Sequence, residues 1–381
     1  MDNALSVALL TDGIWPYVIG GMQKHSYFLC KYLAKNKIKV LLVHSASEIN
    51  EEINELDCFT PEEKAFITSI IIKKPKLPWF PGHYIVQSYL YSKEIYKHVS
   101  ELQKVDFIIA KGLTGWYFLN KKRKKHPPIA INIHGYEFMQ RKASIKMTLE
   151  SLMLRFPFRF VNLKADYVFS YGGKISDYIR DLGVCPAKII EIPSGIEEEW
   201  MGNNDFAPGQ HVRFVFIGRY ERRKGVEELN YVIKGLSSKY NFSFTFVGPI
   251  PEKKRLLTEG VEYKGVLRTK EELQKILSQS DVLVCPSYSE GMPNVILEGM
   301  ANYCAVIATD VGAVSLLVND QNGWLIPPAS TTALKDALTK AIACSESELR
   351  YKKQAAYDTI STQFLWKDVI QRLILSIRNV V

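Results

Sequence analysis

A chain of 381 residues is longer than one hydrophobic core usually serves, so its length argues for two domains of roughly 150–200 residues each. With 47% apolar and 23% charged residues the composition excludes a disordered or fibrous chain, and the longest apolar run, around Ile70, Ile71 and Ile72, falls far short of the roughly 20 residues of a membrane-spanning helix. The net charge of +9 equals the excess gathered between residues 111 and 160, where Lys111, Lys121, Lys122, Arg123, Lys124, Lys125, Arg141, Lys142, Lys146, Arg155 and Arg159 face only Glu137 and Glu150; such a field asks for an anionic partner, whether a membrane surface, a phosphorylated acceptor or a nucleic acid.

In chain order, the opening carries Asp2 where a secretion signal needs bases, and the apolar run of residues 7–10 stops at Thr11; it reads as a first strand. The first half then alternates short β-branched runs with helix-period segments, predicting parallel strands at 7–11, 40–44, 69–73, 107–110, 129–133, 167–170 and 189–192. At residues 201–209 turn formers replace the periodicity, which sets a domain boundary. The alternation restarts with strands at 212–217, 242–247, 261–264, 282–285 and 306–309, so the expected fold class is α/β, with two doubly wound domains in succession. The tail, 364–381, reads as one amphipathic helix with Leu365, Val369, Leu373 and Ile377 on a shared face. The segment 142–164 mixes apolar residues with Arg155 and Arg159 and reads equally as a core helix or a membrane-facing surface. Six scattered cysteines, with no C-x-x-C pair and no histidine at ligand spacing, predict reduced, buried thiols and no zinc site.

In open parallel sheets ligands sit beyond the carboxyl ends of the strands, so the loops after the strands hold the candidate chemistry. After the first strand, Gly20 and Gly21 open a helix whose free N–H groups suit a phosphate, although a Gly-Gly pair alone is more often only a turn and no G-x-G-x-x-G is present. After the strand at 212–217 come Arg219 and Lys224, a planar fork and a compact charge five residues apart, suited to two phosphates; by composition alone this is a solvated basic loop. After the strand at 282–285 the run from Pro286 to Ala301 holds Glu290 and Glu298, with Pro293 placed to open a helix as its first residue. If the run were wholly helical, eight residues would part the two carboxylates by roughly 12 Å, too far for a glycosidase pair. They fit better as anchors at the two ends of an elongated ligand whose diphosphate meets the helix start. His134 follows the strand at 129–133, whereas His25, His98 and His126 read as ordinary residues.

Gly20-Gly21, Ile133-His134-Gly135, Pro193-Ser194-Gly195-Ile196, Gly218-Arg219 with Lys224-Gly225, the Glu290 to Glu298 motif, Asn322-Gly323, and Phe364 with Trp366 follow one another in an order and spacing that resemble the retaining glycosyltransferases of family four, which have the two-domain GT-B fold. The resemblance covers nearly the whole chain. It implies two Rossmann-like domains facing each other across a cleft: an acceptor-side domain at 1–200, completed by a returning helix at 364–381, and a donor-binding domain at 211–363. It implies a nucleotide-diphosphate sugar donor, UDP ahead of GDP, and a glycan or lipid-linked glycan acceptor in cell-surface polysaccharide synthesis. Arg219 and Lys224 would clamp the diphosphate, assisted by Gly291 and the N–H groups of Asn294 and Val295. Glu290 would hold hydroxyls of the transferred sugar, Glu298 the ribose, and His134 would lie near the sugar. Ser194, Pro293 and Leu316 depart from the usual pattern and bear on pocket detail.

The reading therefore expects a cytoplasmic enzyme, peripheral at the inner face of the plasma membrane through residues 111–160, with no cofactor. No metal is expected either, since the chain has no Asp-x-Asp triplet and Arg219 with Lys224 can supply the positive charge. No nucleic acid is expected, because bases are not interleaved with aromatics along a recognisable module. The rivals are a nucleotide-sugar epimerase or phosphorylase of the same architecture, and a non-catalytic nucleotide or nucleic-acid binding protein.

Overall fold

The computed structural model describes residues 5–45, 56–121, 126–203 and 211–381, apart from the side chains of residues 99, 146 and 150. Two sheets organise the chain. The first contains β1 (Ser6–Leu10), β2 (Lys39–His44), β3 (Ile67–Ile71), β4 (Phe107–Lys111), β5 (Ile129–Asn132), β6 (Tyr167–Ser170) and β7 (Ile189–Glu191), in the order β3-β2-β1-β4-β5-β6-β7. The second contains β8 (Val212–Ile217), β9 (Phe242–Val247), β10 (Val261–Gly265), β11 (Val282–Cys285), β12 (Ala305–Thr309) and β13 (Gly323–Ile326), in the order β10-β9-β8-β11-β12-β13. Neighbours run parallel, with Val7 beside Phe107 and Val282 beside Phe214. Helices cover both faces of such sheets, so their central strands are apolar throughout: Phe107 to Ala110 and Val282 to Val284 are almost wholly buried.

The predicted strands lie within one or two residues of the observed ones, β3 being displaced furthest, to 67–71. The short edge strand β13 escaped the periodicity because Gly323 and Trp324 give no β-branched run; its pairing with β12 makes it a strand. Cys185 is exposed, a correction to the expectation of buried thiols. Among the described residues no helix is long and apolar enough to cross a membrane.

The chain divides into two compact units: Met1–His134, Thr148–Pro193 and Trp366–Val381 form one, and Gly135–Met147 with Ser194–Leu365 form the other. The segments 135–147 and 194–200, expected with the first domain, thus group with the second. Gln140, buried, exchanges two hydrogen bonds with the backbone of Glu290, and Ile196 bridges Leu365, which anchors both segments there. The boundary expected at 201–209 lies outside the described residues from 204 on.

The tail helix is Trp366–Arg378, within the run predicted at 364–381, and it belongs to the first unit. Val369, Leu373 and Ile377 are buried along it, each worth about 1.5–3 kcal/mol if fully withdrawn from water. Trp366 stacks on Tyr32 at 5.9 Å and meets the edge of His25 at 5.2 Å, so the tail packs on the helix Gly21–Lys35. In the second unit Asp281, just before β11, accepts from Arg213 at 2.9 and 3.0 Å and from Lys353 at 2.7 Å, pinning the helix Glu346–Gln363 to the sheet.

Candidate functional site

In the second sheet the strand order reverses direction between β8 and β11, so the loops leaving their carboxyl ends diverge and open a crevice. Two glycines bring three loops together there. Gly225, with φ +72°, lies so near the loop after β11 that a Cβ would stand 2.2 Å from the Pro286 carbonyl oxygen. Gly312, after β12 with φ +56°, would place a Cβ 2.3 Å from the Glu290 carbonyl oxygen and 2.4 Å from that of Gly291. Only glycine permits both the left-handed backbone and the approach.

Glu290 is the hub. Lys224 Nζ lies 2.6 Å from its Oε1, Ser287 Oγ donates to the same oxygen at 2.8 Å, and Arg223 stands 3.6 Å from its Oε2. The Glu290 N–H donates to Gln140 Oε1 at 3.1 Å, while Gln140 Nε2 donates back to the Glu290 carbonyl at 2.6 Å. Burial alone would raise the carboxyl's pKa, but the charges of Lys224 and Arg223 outweigh it and hold Glu290 below the usual carboxylate value. Arg219 is 71% exposed and pairs with Glu221 at 2.9 Å; Glu221 also binds Arg223 at 2.8 Å. Arg222 turns elsewhere, forked onto Glu228 at 2.6 and 2.9 Å and stacked on Tyr288. It secures the loop.

The helix after this loop is Asn294–Ala301, and Pro293 is its extended N-cap rather than its first residue, a correction of one position. Glu290 therefore lies outside the helix, and the 12 Å spacing of a continuous helix does not apply. No side chain caps the helix start, which leaves the first N–H groups, those of Asn294 and Val295, without a capping side chain. Glu298 is buried one turn further on, and Asn302 Nδ2 closes the helix on the carbonyls of Glu298 and Trp200. Arg219, Lys224, Glu290, Gly291, Asn294, Val295 and Glu298 all lie on the two loops and the helix flanking this switch point. Of the departures noted in the sequence, Ser194 donates its N–H to Met292 Sδ at 3.2 Å, beside the same loop.

The first sheet reverses between β1 and β4, and a second polar cluster lies at the carboxyl ends of β4 and β5. Lys111, the last residue of β4, is 0% exposed; its ammonium nitrogen lies 2.9 Å from His25 Nδ1 and bonds Asn132 Oδ1. His134 Nδ1 bonds the Tyr171 hydroxyl, and the His134 ring lies edge-on to His25 at 4.8 Å. His134 Nε2 is buried and bonds no described residue. Burial, then the neighbouring bases, push the pKa values of His25 and His134 well below the ordinary imidazole value; burial does the same to Lys111 and drives the Tyr171 phenol up. Gly20 and Gly21 do sit at a helix start; a Cβ on Gly20 would stand 2.1 Å from Gln23 Oε1, whereas one on Gly21 would meet open space, so Gly21 need not be glycine for this backbone.

Two expectations change here. His25 is not an ordinary residue, and Lys111 contributes nothing to a surface patch. Lys122, Arg123, Lys124 and Lys125 lie outside the described residues, and Arg141 and Lys142 bond backbone carbonyls of the second unit. Sequence reading passed over Arg223, Gln140, Ser287 and Tyr171. A cation beside Lys224 was a signal in reach for Arg223; the others reach the clusters through folding alone.

Comparison with known proteins bears on both units. A family model described as Glycosyltransferase Family 4 matches residues 19–200, and one described as Glycosyl transferases group 1 matches residues 211–344. The "Putative teichuronic acid biosynthesis glycosyltransferase TuaC" of Bacillus subtilis is 37% identical over 39% of this chain and 38% of its own length, so the chain spans well under half of that relative. An uncharacterized glycosyltransferase of Methanocaldococcus jannaschii is 25% identical over 98% of this chain and 97% of that protein. Among solved structures, sucrose-phosphate synthase from Thermosynechococcus elongatus superposes with a TM-score of 0.80 at 18% identity, covering 98% of each chain. Anabaena HepE in complex with UDP-glucose does so with a TM-score of 0.68 at 15% identity, covering 99% of this chain and all (100%) of that one. With two parallel sheets in the GT-B pattern and family models over both halves, the chain belongs to the family four glycosyltransferases, the glycosyl transferases of group 1.

Proposed function

We propose that this glycosyltransferase moves a sugar from a nucleotide-diphosphate donor, UDP ahead of GDP, to a glycan or lipid-linked glycan acceptor, with retention of anomeric configuration and without a metal. The observation that carries the reading is the convergence of Lys224, Arg223 and Arg219 with the uncapped start of the helix Asn294–Ala301 at the β8/β11 switch point. These cations rest on Glu290 and Glu221, partners that a diphosphate can exchange with. The exposed Arg219 and the Lys224 ammonium take the phosphates, Asn294 and Val295 donate N–H groups, Glu298 holds the ribose, and Glu290 binds hydroxyls of the transferred sugar. His134 is assigned to that sugar as well, its buried Nε2 bonding no described residue.

In such a transfer the bond from the anomeric carbon to the leaving phosphate oxygen breaks while the acceptor hydroxyl attacks on the same face. Charge builds on the departing phosphate, and fixed cations stabilise it without reorganisation. A place in polysaccharide synthesis agrees with the Bacillus relative, which is named for teichuronic acid biosynthesis. The test is product NMR after incubation with UDP-hexoses and glycan acceptors. The expected product keeps the donor's anomeric configuration and forms equally in EDTA; an inverted anomer, or activity that requires added magnesium or manganese, overturns the corresponding part.

A further inference from the structure

The helix Ile145–Lys164 has two apolar stripes. Ser151, Phe158, Val161 and Asn162 are buried along one face. The other stripe faces outward: Leu149, Leu152 and Phe156 are 62%, 58% and 75% exposed, with Met153 beside them. Outward apolar residues at i, i+3 and i+7 are the reverse of what a solvated helix shows.

A second exposed apolar segment adjoins it. The loop 78–81 is Pro78-Trp79-Phe80-Pro81, with Trp79 79% exposed, and at Gly82 a Cβ would stand 3.9 Å from the sulfur of Met153. The two prolines fix their own φ and stiffen the loop that presents the rings. Tyr84 and Val86, also exposed, continue the surface along the helix His83–Tyr96. All these residues belong to the first unit.

Its charge identifies the partner. Residues 73–94 contain Lys73, Lys74, Lys76 and Lys93 against Glu94, with Lys74 3.7 Å from Asp12, and Arg155, Arg159 and Lys164 lie along the outward helix against Glu150. We propose that this face is a membrane-docking surface: Trp79, Phe80, Leu149, Leu152 and Phe156 enter the headgroup–acyl boundary of an anionic bilayer, and the surrounding lysines and arginines hold its phosphates. Tryptophan beside an apolar face ringed by bases is the chemistry of an interfacial anchor. A second copy of the chain fits less well, because a two-fold contact would set one predominantly basic rim against the other. The proposal differs from a purely electrostatic attachment through Lys121 to Lys125, since it places the energy in apolar insertion, and it stands independently of the donor reading.

Sedimentation of the full chain with vesicles tests it. Phosphatidylcholine vesicles containing phosphatidylglycerol should bind the protein, pure phosphatidylcholine vesicles should bind it weakly, and brominated acyl chains should quench fluorescence that is lost in Trp79→Phe. Leu152→Ser with Phe156→Ser should weaken partition at least about tenfold, because two large side chains no longer insert, while leaving the unfolding midpoint unchanged. Arg155→Glu with Arg159→Glu should weaken binding in low salt more than in high salt. Absence of vesicle binding at low salt, or binding unaltered by Leu152→Ser with Phe156→Ser, overturns the proposal. So does a dimer in sedimentation velocity that this pair of substitutions dissociates, which would make the face a self-association surface.

Discussion

At the carboxyl ends of β8 and β11 a carboxylate is buried among cations, whereas at those of β4 and β5 the bases Lys111, His25 and His134 are buried together, with Asp12 as the acid near Lys111. The first arrangement keeps its charges: Lys224 and Arg223 offset the cost of burying Glu290, which stays ionised. The second has little to offset burial, which lowers the pKa values of Lys111, His25 and His134 and raises that of Tyr171. One fold, used twice, thus offers one switch point whose buried charge is paired and another whose buried bases are held toward their neutral forms. Each prediction below acts on one side of that difference.

The largest effect is expected from Lys224→Ala. It leaves Glu290 buried without its nearest cation, which should cost on the order of 3 kcal/mol in denaturant unfolding and reduce turnover by about a hundredfold or more. Adding Glu290→Gln should restore most of the stability and none of the turnover. If the double variant is as unstable as the single one, the pairing is not what holds the loop.

Next come the two glutamates. Glu290→Gln should lower kcat by about a hundredfold while UDP affinity changes little, because its place is at the reacting sugar. Glu298→Ala should instead weaken UDP binding about tenfold. Calorimetry and steady-state kinetics on both variants check this division, and equal effects on nucleotide affinity would dissolve it.

The smallest effect is in pH dependence, where the two networks separate by window. Glu290 has a depressed folded pKa, so its contribution is complete above the ordinary value of 4.5 and is lost as pH falls below it. Lys111 also has a depressed folded pKa, but the unfolded chain binds its proton from 10.5 downward while the folded chain does not. Stability should therefore fall with decreasing pH from about 10.5, by up to about 1.4 kcal/mol per pH unit for one proton. Lys111→Met should flatten the neutral-to-alkaline slope of the unfolding free energy and leave the acid limb alone; Glu290→Gln should do the reverse. A Lys111→Met slope equal to that of the unsubstituted chain would mean the ammonium is charged in the fold.

Much of the architecture was legible because central parallel strands must be apolar on both faces, and runs such as Phe107 to Ala110 have no other explanation. The strand-end loops were legible for the same reason: once the strands are placed, Arg219, Lys224 and Glu290 follow them. β13 was not legible, being short and held by its neighbour rather than by its own residues. Nor was the cluster of Lys111, His25 and Tyr171, since nothing local distinguishes a lysine that ends a buried strand from one that reaches water. Counting charge along the chain misled for that reason: it placed Lys111 on the surface and overlooked the outward apolar stripe of Leu149, Leu152 and Phe156, which periodicity alone left undecided between core and membrane.

The central claim is that the second unit holds the donor diphosphate at the β8/β11 switch point without a metal, and calorimetric titration of UDP in EDTA tests it most directly. Arg219→Ala is the variant to set beside the unsubstituted chain, because an arginine 71% exposed can be removed without disturbing the fold. The account predicts that UDP binds the unsubstituted chain in EDTA and binds Arg219→Ala at least about tenfold more weakly, with unchanged unfolding midpoints. Equal UDP affinity in the two proteins, or binding that appears only when magnesium or manganese is added, would contradict it.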